Sequence, residues 1–134
     1  MIGLDTNVVV RYLVQDDPVQ SKIANRIFEH DITSSNEGLV SSIVLCEVVW
    51  VIHRAYKQKK AKLLEIVRLL LESENIEIEH RDSVWRALRS FEYGEADFSD
   101  YLLADINRTL GADTTVTFDA HAAEKSHFSL AKKI

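Results

Sequence analysis

Short apolar runs alternate along this chain with longer segments of helical periodicity, and that alternation constrains the fold more than any other feature. The runs are IGLD, GLVSS, IEIEH and TTVTFD. Thr6 is placed to cap a helical turn over NVVVRYL. QDDPVQSKIANRIFEH has Asp17 before Pro18 at a first helical position, then Val19, Ile23 and Ile27 on one face. Ser41 or Ser42 can cap IVLCEVVWVIHRAYK, which is apolar almost to its end and so is expected to be central and buried. AKLLEIVRLLLES spaces Leu63, Leu64, Val67, Leu70 and Leu71 as a helix does. Asp82 is placed to cap a helix with Val84, Ala87, Leu88 and Phe91 on one side, stopped by Gly94. DFSDYLLADINRTLG offers Ser99 as a cap, a stripe of Leu103, Ile106 and Leu110, and a stop at Gly111. A short AHAAEK helix and a last segment, HFSLAKKI, follow. Strands alternating with helices predict an α/β fold with a central parallel sheet of four to five strands and helices on both faces. No internal repeat is visible.

The 134 residues suit a single domain over 1–134 with one core. Glycine (4) and proline (1) are sparse, which argues against long disordered segments. The single cysteine, Cys46, excludes an internal disulfide, and its apolar neighbours point to an inert thiol in a reducing compartment. VSSIVLCEVVWVI is too short to span a bilayer and carries a glutamate, and no basic region with a signal core opens the chain. A cytoplasmic protein without membrane contact is expected. The formal net charge of −5 opposes nonspecific binding to polyanions. Acidic side chains that converge on divalent cations would reverse that locally.

Asp5 and Asp119 both stand where a strand ends, the edge at which open α/β sheets bind ligands. Each also reads as a turn or capping aspartate. Glu47 falls among Val44, Leu45, Val48, Val49 and Val51, so it is expected to be buried and to need a metal or an arginine, Arg11 or Arg54. Asp97 and Asp100 flank Ser99 at a helix start, where the dipole favours acids. Asp5, Glu47, Asp100 and Asp119, with Asp97 as a fifth, would repel one another if ionised and empty. Hard cations, Mg²⁺ or Mn²⁺, suit such an all-oxygen set.

LDTN, the helix containing CEVVW, the DFSDYLLA helix start and TFD on a late strand resemble, in order and spacing, the PIN-domain ribonucleases, specifically the VapC-type toxins of toxin–antitoxin pairs. The resemblance implies a PIN-like fold and makes Asp5, Glu47, Asp100 and Asp119 the catalytic, metal-binding quartet, with Asp97 accessory. Thr6, Asn7 and Thr117 match supporting polar positions, where a hydroxyl or amide orients a carboxylate or water. It further implies metal-dependent endonucleolytic cleavage of RNA leaving 5′-phosphate and 3′-hydroxyl ends, a cognate antitoxin, and a homodimer.

Substrate contacts are sought among Arg11, Arg54 and Lys57, although the basic stretch from Arg54 to Lys62 also reads as a solvated helix tip. The five histidines show no metal-ligand spacing. A phosphorylation-controlled receiver shares the size and the parallel sheet, but GLVSS supplies no mid-chain phosphoacceptor aspartate. A haloacid-dehalogenase-like phosphatase would want an acid two residues after Asp5, where Asn7 stands. A noncatalytic PIN-like domain that binds RNA or acts as an adaptor is the remaining alternative.

Overall fold

The computed structural model describes residues 1–123 and 127–131. By backbone packing the chain forms two compact units, Met1–Arg81 and Asp82–Ile134.

In the first unit, β1 (Ile2–Gly3), β2 (Gly38–Val40) and β3 (Ile76–Ile78) pair in parallel in the order β1-β2-β3, with Ile2 opposite Gly38 and Gly38 opposite Ile76. Parallel neighbours need long crossovers, and helices supply them. Helices α1 (Thr6–Val14) and α2 (Pro18–Arg26), the latter running into a π-helical turn at Ile27–Asp31, link β1 to β2. Helices α3 (Ser42–Arg54) and α4 (Lys60–Glu72) link β2 to β3. The α2 start follows its signal: Asp17 Oδ1 accepts from the Val19 and Gln20 amides at 3.1 and 2.9 Å, with Pro18 at the first position. Ser41 Oγ likewise accepts from the Val44 amide. The α1 cap is Asp5 rather than Thr6, which is the first helical residue and is buried.

Val9, Val10, Val40, Leu45, Val48, Ile52, Val67, Leu70 and Ile78 are fully buried in this unit. Each contributes about 1.5–3 kcal/mol relative to leaving it in water. Two expected faces are turned differently. Val19 and Ile23 of α2 are exposed, and the inward side carries Ser21 and Ala24, where the Ser21 hydroxyl donates to the Arg11 carbonyl at 3.1 Å. Helix α3 is not buried all round. Leu45, Val48, Val49 and Ile52 face in, whereas Ile43, Glu47, Trp50 and Arg54 are exposed at spacings of four, three and four.

The second unit holds α5 (Arg81–Tyr93), which starts at the unit boundary, then α6 (Phe98–Thr109), β4 (Thr115–Thr117), α7 (Ala120–Ala123) and β5 (Phe128–Leu130). Val84, Ala87, Leu88 and Phe91 form the buried face of α5 as expected, but Asp82 lies inside its first turn rather than capping it, because the helix already begins at Arg81. Gly94 follows because a Cβ there would fall on the Tyr101 hydroxyl and 2.9 Å from the Ser90 carbonyl oxygen. The α6 cap is Asp97, not Ser99, which lies inside the first turn. At its end Gly111, at φ 103°, donates to the Arg108 carbonyl and Ala112 donates to that of Asn107, a Schellman closure. The expected stripe of Leu103, Ile106 and Leu110 is not the buried one. Leu103 and Leu110 are exposed, and α6 buries Phe98, Leu102, Ala104 and Asp105.

HFSLAKKI supplies β5, which pairs in parallel with β4, Thr115 opposite Phe128. Within each unit, therefore, the strands among the described residues pair in parallel, three in the first and two in the second. The last two residues of AHAAEK and the last three of HFSLAKKI lie outside the described residues. No helix among the described residues is long and apolar enough to cross a membrane.

Candidate active site

The three strands of the first unit each deliver a polar residue to their carboxyl ends. Leu4 donates its amide to the Leu39 carbonyl at 2.9 Å and Glu79 donates to that of Val40 at 3.0 Å, so the chains leave the sheet in step at Asp5, Ser41 and Glu79. Asp5 is exposed, and its Oδ1 accepts from the Thr6 amide at 2.8 Å. Among the described residues its second oxygen has no hydrogen bond. Asn7, in the first turn of α1, is exposed.

Glu79 is a carboxylate that sequence reasoning passes over. Its Oε1 accepts from the Ser42 amide at 2.8 Å, at the start of α3, while the Ser42 hydroxyl donates to the Glu79 carbonyl at 3.5 Å. An acid there complements the positive end of the helix dipole. The alternation in IEIEH is readable as a strand, but only the β2–β3 pairing brings its last acid to α3.

Glu47 departs from its expected setting. It is exposed on the outer stripe of α3, so no burial cost demands a partner for it. The reason is helical geometry: residues 45, 48, 49 and 52 take the core side, which turns 43, 47, 50 and 54 outward. Neither arginine neutralises it. Arg11 donates from Nε to Gln20 at 2.7 Å and from a terminal nitrogen to the Tyr56 hydroxyl at 3.1 Å, and lies 3.6 Å from Asp16. Tyr56 in turn donates to Asp16 at 2.7 Å, a bond that raises its phenol pKa. Arg11 is thus engaged in a surface network. Arg54 lies over the Trp50 ring, 5.7 Å from its centroid. Lys57, just past α3, is exposed at a left-handed φ of 53°.

Three more acids belong to the second unit. The Asp97 amide donates to Asp100 Oδ2 at 3.3 Å across the first turn of α6. Asp119 Oδ1 accepts from the His121 and Ala122 amides at 2.9 and 3.3 Å, so it caps the short α7. The Thr117 hydroxyl accepts from the Asp119 amide at 3.0 Å and so steadies the turn that presents this acid. Burial raises the Asp100 carboxyl above the usual range. The bond from the Asp97 amide opposes this, and the charges of Asp97 and Asp119 add to the rise. His121 stands 3.6 Å from Glu95 and is exposed.

These groups suit a hard cation by donor type, since all are carboxylates. Asp5, Asp100 and Asp119 each commit one oxygen to a local amide and keep the other free among the described residues. The charge repulsion at Asp100 is of the kind that a cation relieves. Among the described residues no three His, Cys, Asp or Glu side chains are already gathered closely enough to hold a metal.

No curated protein and no solved structure matches the chain. A family profile described as PIN domain matches residues 2–127.

Proposed function

The chain belongs to the PIN-domain family, a nuclease-type fold, and from that premise we propose that it is a divalent-metal-dependent endoribonuclease, the toxin of a toxin–antitoxin pair. Asp5, Glu47, Asp100 and Asp119 are the ligating carboxylates in this reading, with Asp97 accessory and Mg²⁺ or Mn²⁺ as the ion. The observation that carries it is Asp100, partly buried in the first turn of α6 with one oxygen held by the Asp97 amide, its carboxyl raised by burial and by the charges of Asp97 and Asp119. A carboxylate so placed favours an external positive charge.

Held by these carboxylates, a divalent ion would supply an acidified water and charge stabilisation for phosphodiester hydrolysis. The chain's part is positioning. The Thr6 amide holds one oxygen of Asp5, the Asp97 amide holds one of Asp100, and the His121 and Ala122 amides hold one of Asp119. Each acid is oriented without losing its second oxygen. An antitoxin segment and a second copy of the chain are the protein partners in this reading. The exposed apolar Val19 and Ile23 of α2 support a partner surface, whereas Leu63, Val67, Leu70 and Leu71 of α4 are core.

The test is cleavage of total RNA with Mg²⁺ or Mn²⁺ against a chelator control. Asp5→Asn and Asp100→Asn should each lower cleavage by roughly 10²-fold or more. In chelator, Asp100→Asn should melt no lower than wild type, because it removes a charge that burial and two neighbours disfavour. Full metal-dependent cleavage by both folded variants would refute the assignment. RNA binding with no hydrolysis in any divalent metal would identify a noncatalytic adaptor instead.

A further inference from the structure

We propose that Trp50, with Arg54 over its ring, is a base-stacking platform that seats one nucleotide of single-stranded RNA beside Glu47. This rests on the ribonuclease reading above, but its test reads binding and needs no cleavage.

The indole is 62% exposed, an unusual state for a tryptophan within a helix otherwise rich in core positions. It is held in place. The Arg54 guanidinium, 5.7 Å from the ring centroid, is within cation–π reach of the indole, and the exposed part of the ring is offered to a base. Base-on-aromatic stacking beside an arginine is the usual way proteins hold single strands, and it tolerates any sequence because every base has a π-face.

Position strengthens the case. Glu47 precedes Trp50 by three residues on the same outer stripe, about 4.5 Å along the helix axis. On the other side Arg54 is followed by exposed Lys57 and Lys59, so cations suited to phosphates continue where the helix ends. From the exposed Ile43 the stripe therefore runs on through acid, aromatic and base. A protein-binding face built around this tryptophan would instead be depleted of charge at its centre.

The experiment isolates Trp50 emission in a Trp85→Phe background, Trp85 being the second of the chain's two tryptophans. Single-stranded oligoadenylate and oligouridylate are titrated in chelator. Emission should be quenched saturably by both. Read by the anisotropy of an end-labelled oligonucleotide, since neither variant keeps the reporting indole, Trp50→Ala should weaken binding about ten-fold while Trp50→Phe stays close to wild type. An abasic oligonucleotide of equal length should bind wild type and Trp50→Ala alike, which separates stacking from charge. Equal affinity of wild type and Trp50→Ala for the oligonucleotides overturns the proposal. So does a Trp50-dependent dimer, seen by sedimentation, whose loss leaves RNA affinity unchanged, since the stripe then belongs to a second copy. Trp50-dependent binding without hydrolysis in any metal sustains the platform and sinks the nuclease reading. Unaltered binding by Trp50→Ala beside cleavage lost in Asp5→Asn does the reverse.

Discussion

Asp105 shows how far a single side chain can bend the reading of a helix. It is 8% exposed, and Arg86 donates to it from Nε at 3.1 and 3.0 Å and from a terminal nitrogen at 2.9 Å. Burial pushes its carboxyl up, but the bonds from Arg86 and Ser83 and the Arg86 charge outweigh it, so the folded pKa is below the usual range. The unfolded value is about 3.9. Stability from this group is therefore fully present above that value and is lost as pH falls through the folded pKa. Asp105→Asn should cost about 1–3 kcal/mol at pH 7, and urea melts should show the difference shrinking once the pH falls below the unfolded value of about 3.9. The α6 stripe was misjudged for the same reason. Leu103, Ile106 and Leu110 look like a core face only if Asp105 is assumed to face water, and the partner that lets it turn inward is 19 residues away. The strand-end acids were legible because a carboxylate closing an apolar run is conspicuous over four or five residues.

Element ends lie within a residue or two of their expected places even where the cap differs, as at Thr6 and Ser99, whereas the faces of α2, α3 and α6 are turned differently. The Asp17–Pro18 start, the Ser41 cap and the Gly111 stop each follow from contacts within a few residues. The outward face of α3 does not. Its run of valines and isoleucines hides a charged stripe whose signal, visible in retrospect, is the spacing of Glu47 and Arg54 seven apart around Trp50. The junction of α5 and α6 offers a direct test. Tyr101 occupies the space a Gly94 side chain would need, and its hydroxyl accepts from the Ala96 amide at 3.3 Å. Gly94→Ala should destabilise by about 1–3 kcal/mol through displacement of that ring. Gly3→Ala, where nothing lies within 4 Å, should leave the melting temperature nearly unchanged.

At the scale of the whole molecule, the parallel sense of the sheet was readable because a helical segment separates every pair of strands. The division of the strands into three and two was not, since pairing partners are long-range and no local pattern encodes them. Net charge sets a further expectation. With a formal −5 overall, the proposed RNA affinity is expected to come from a few local cations, Arg54, Lys57 and Lys59. Three phosphate contacts on a single strand give a slope of log K against log salt of about −2. A measured slope steeper than about −4 in chelator would place phosphate contacts elsewhere. In both units, finally, an acid after a strand also starts the next helix, Asp5 for α1 and Asp119 for α7. Cutting either back to alanine deletes a helix cap together with a donor oxygen and so blurs chemistry with folding. Asparagine keeps an oxygen for the amide. It is the replacement that lets a dead variant be told from a loosened one.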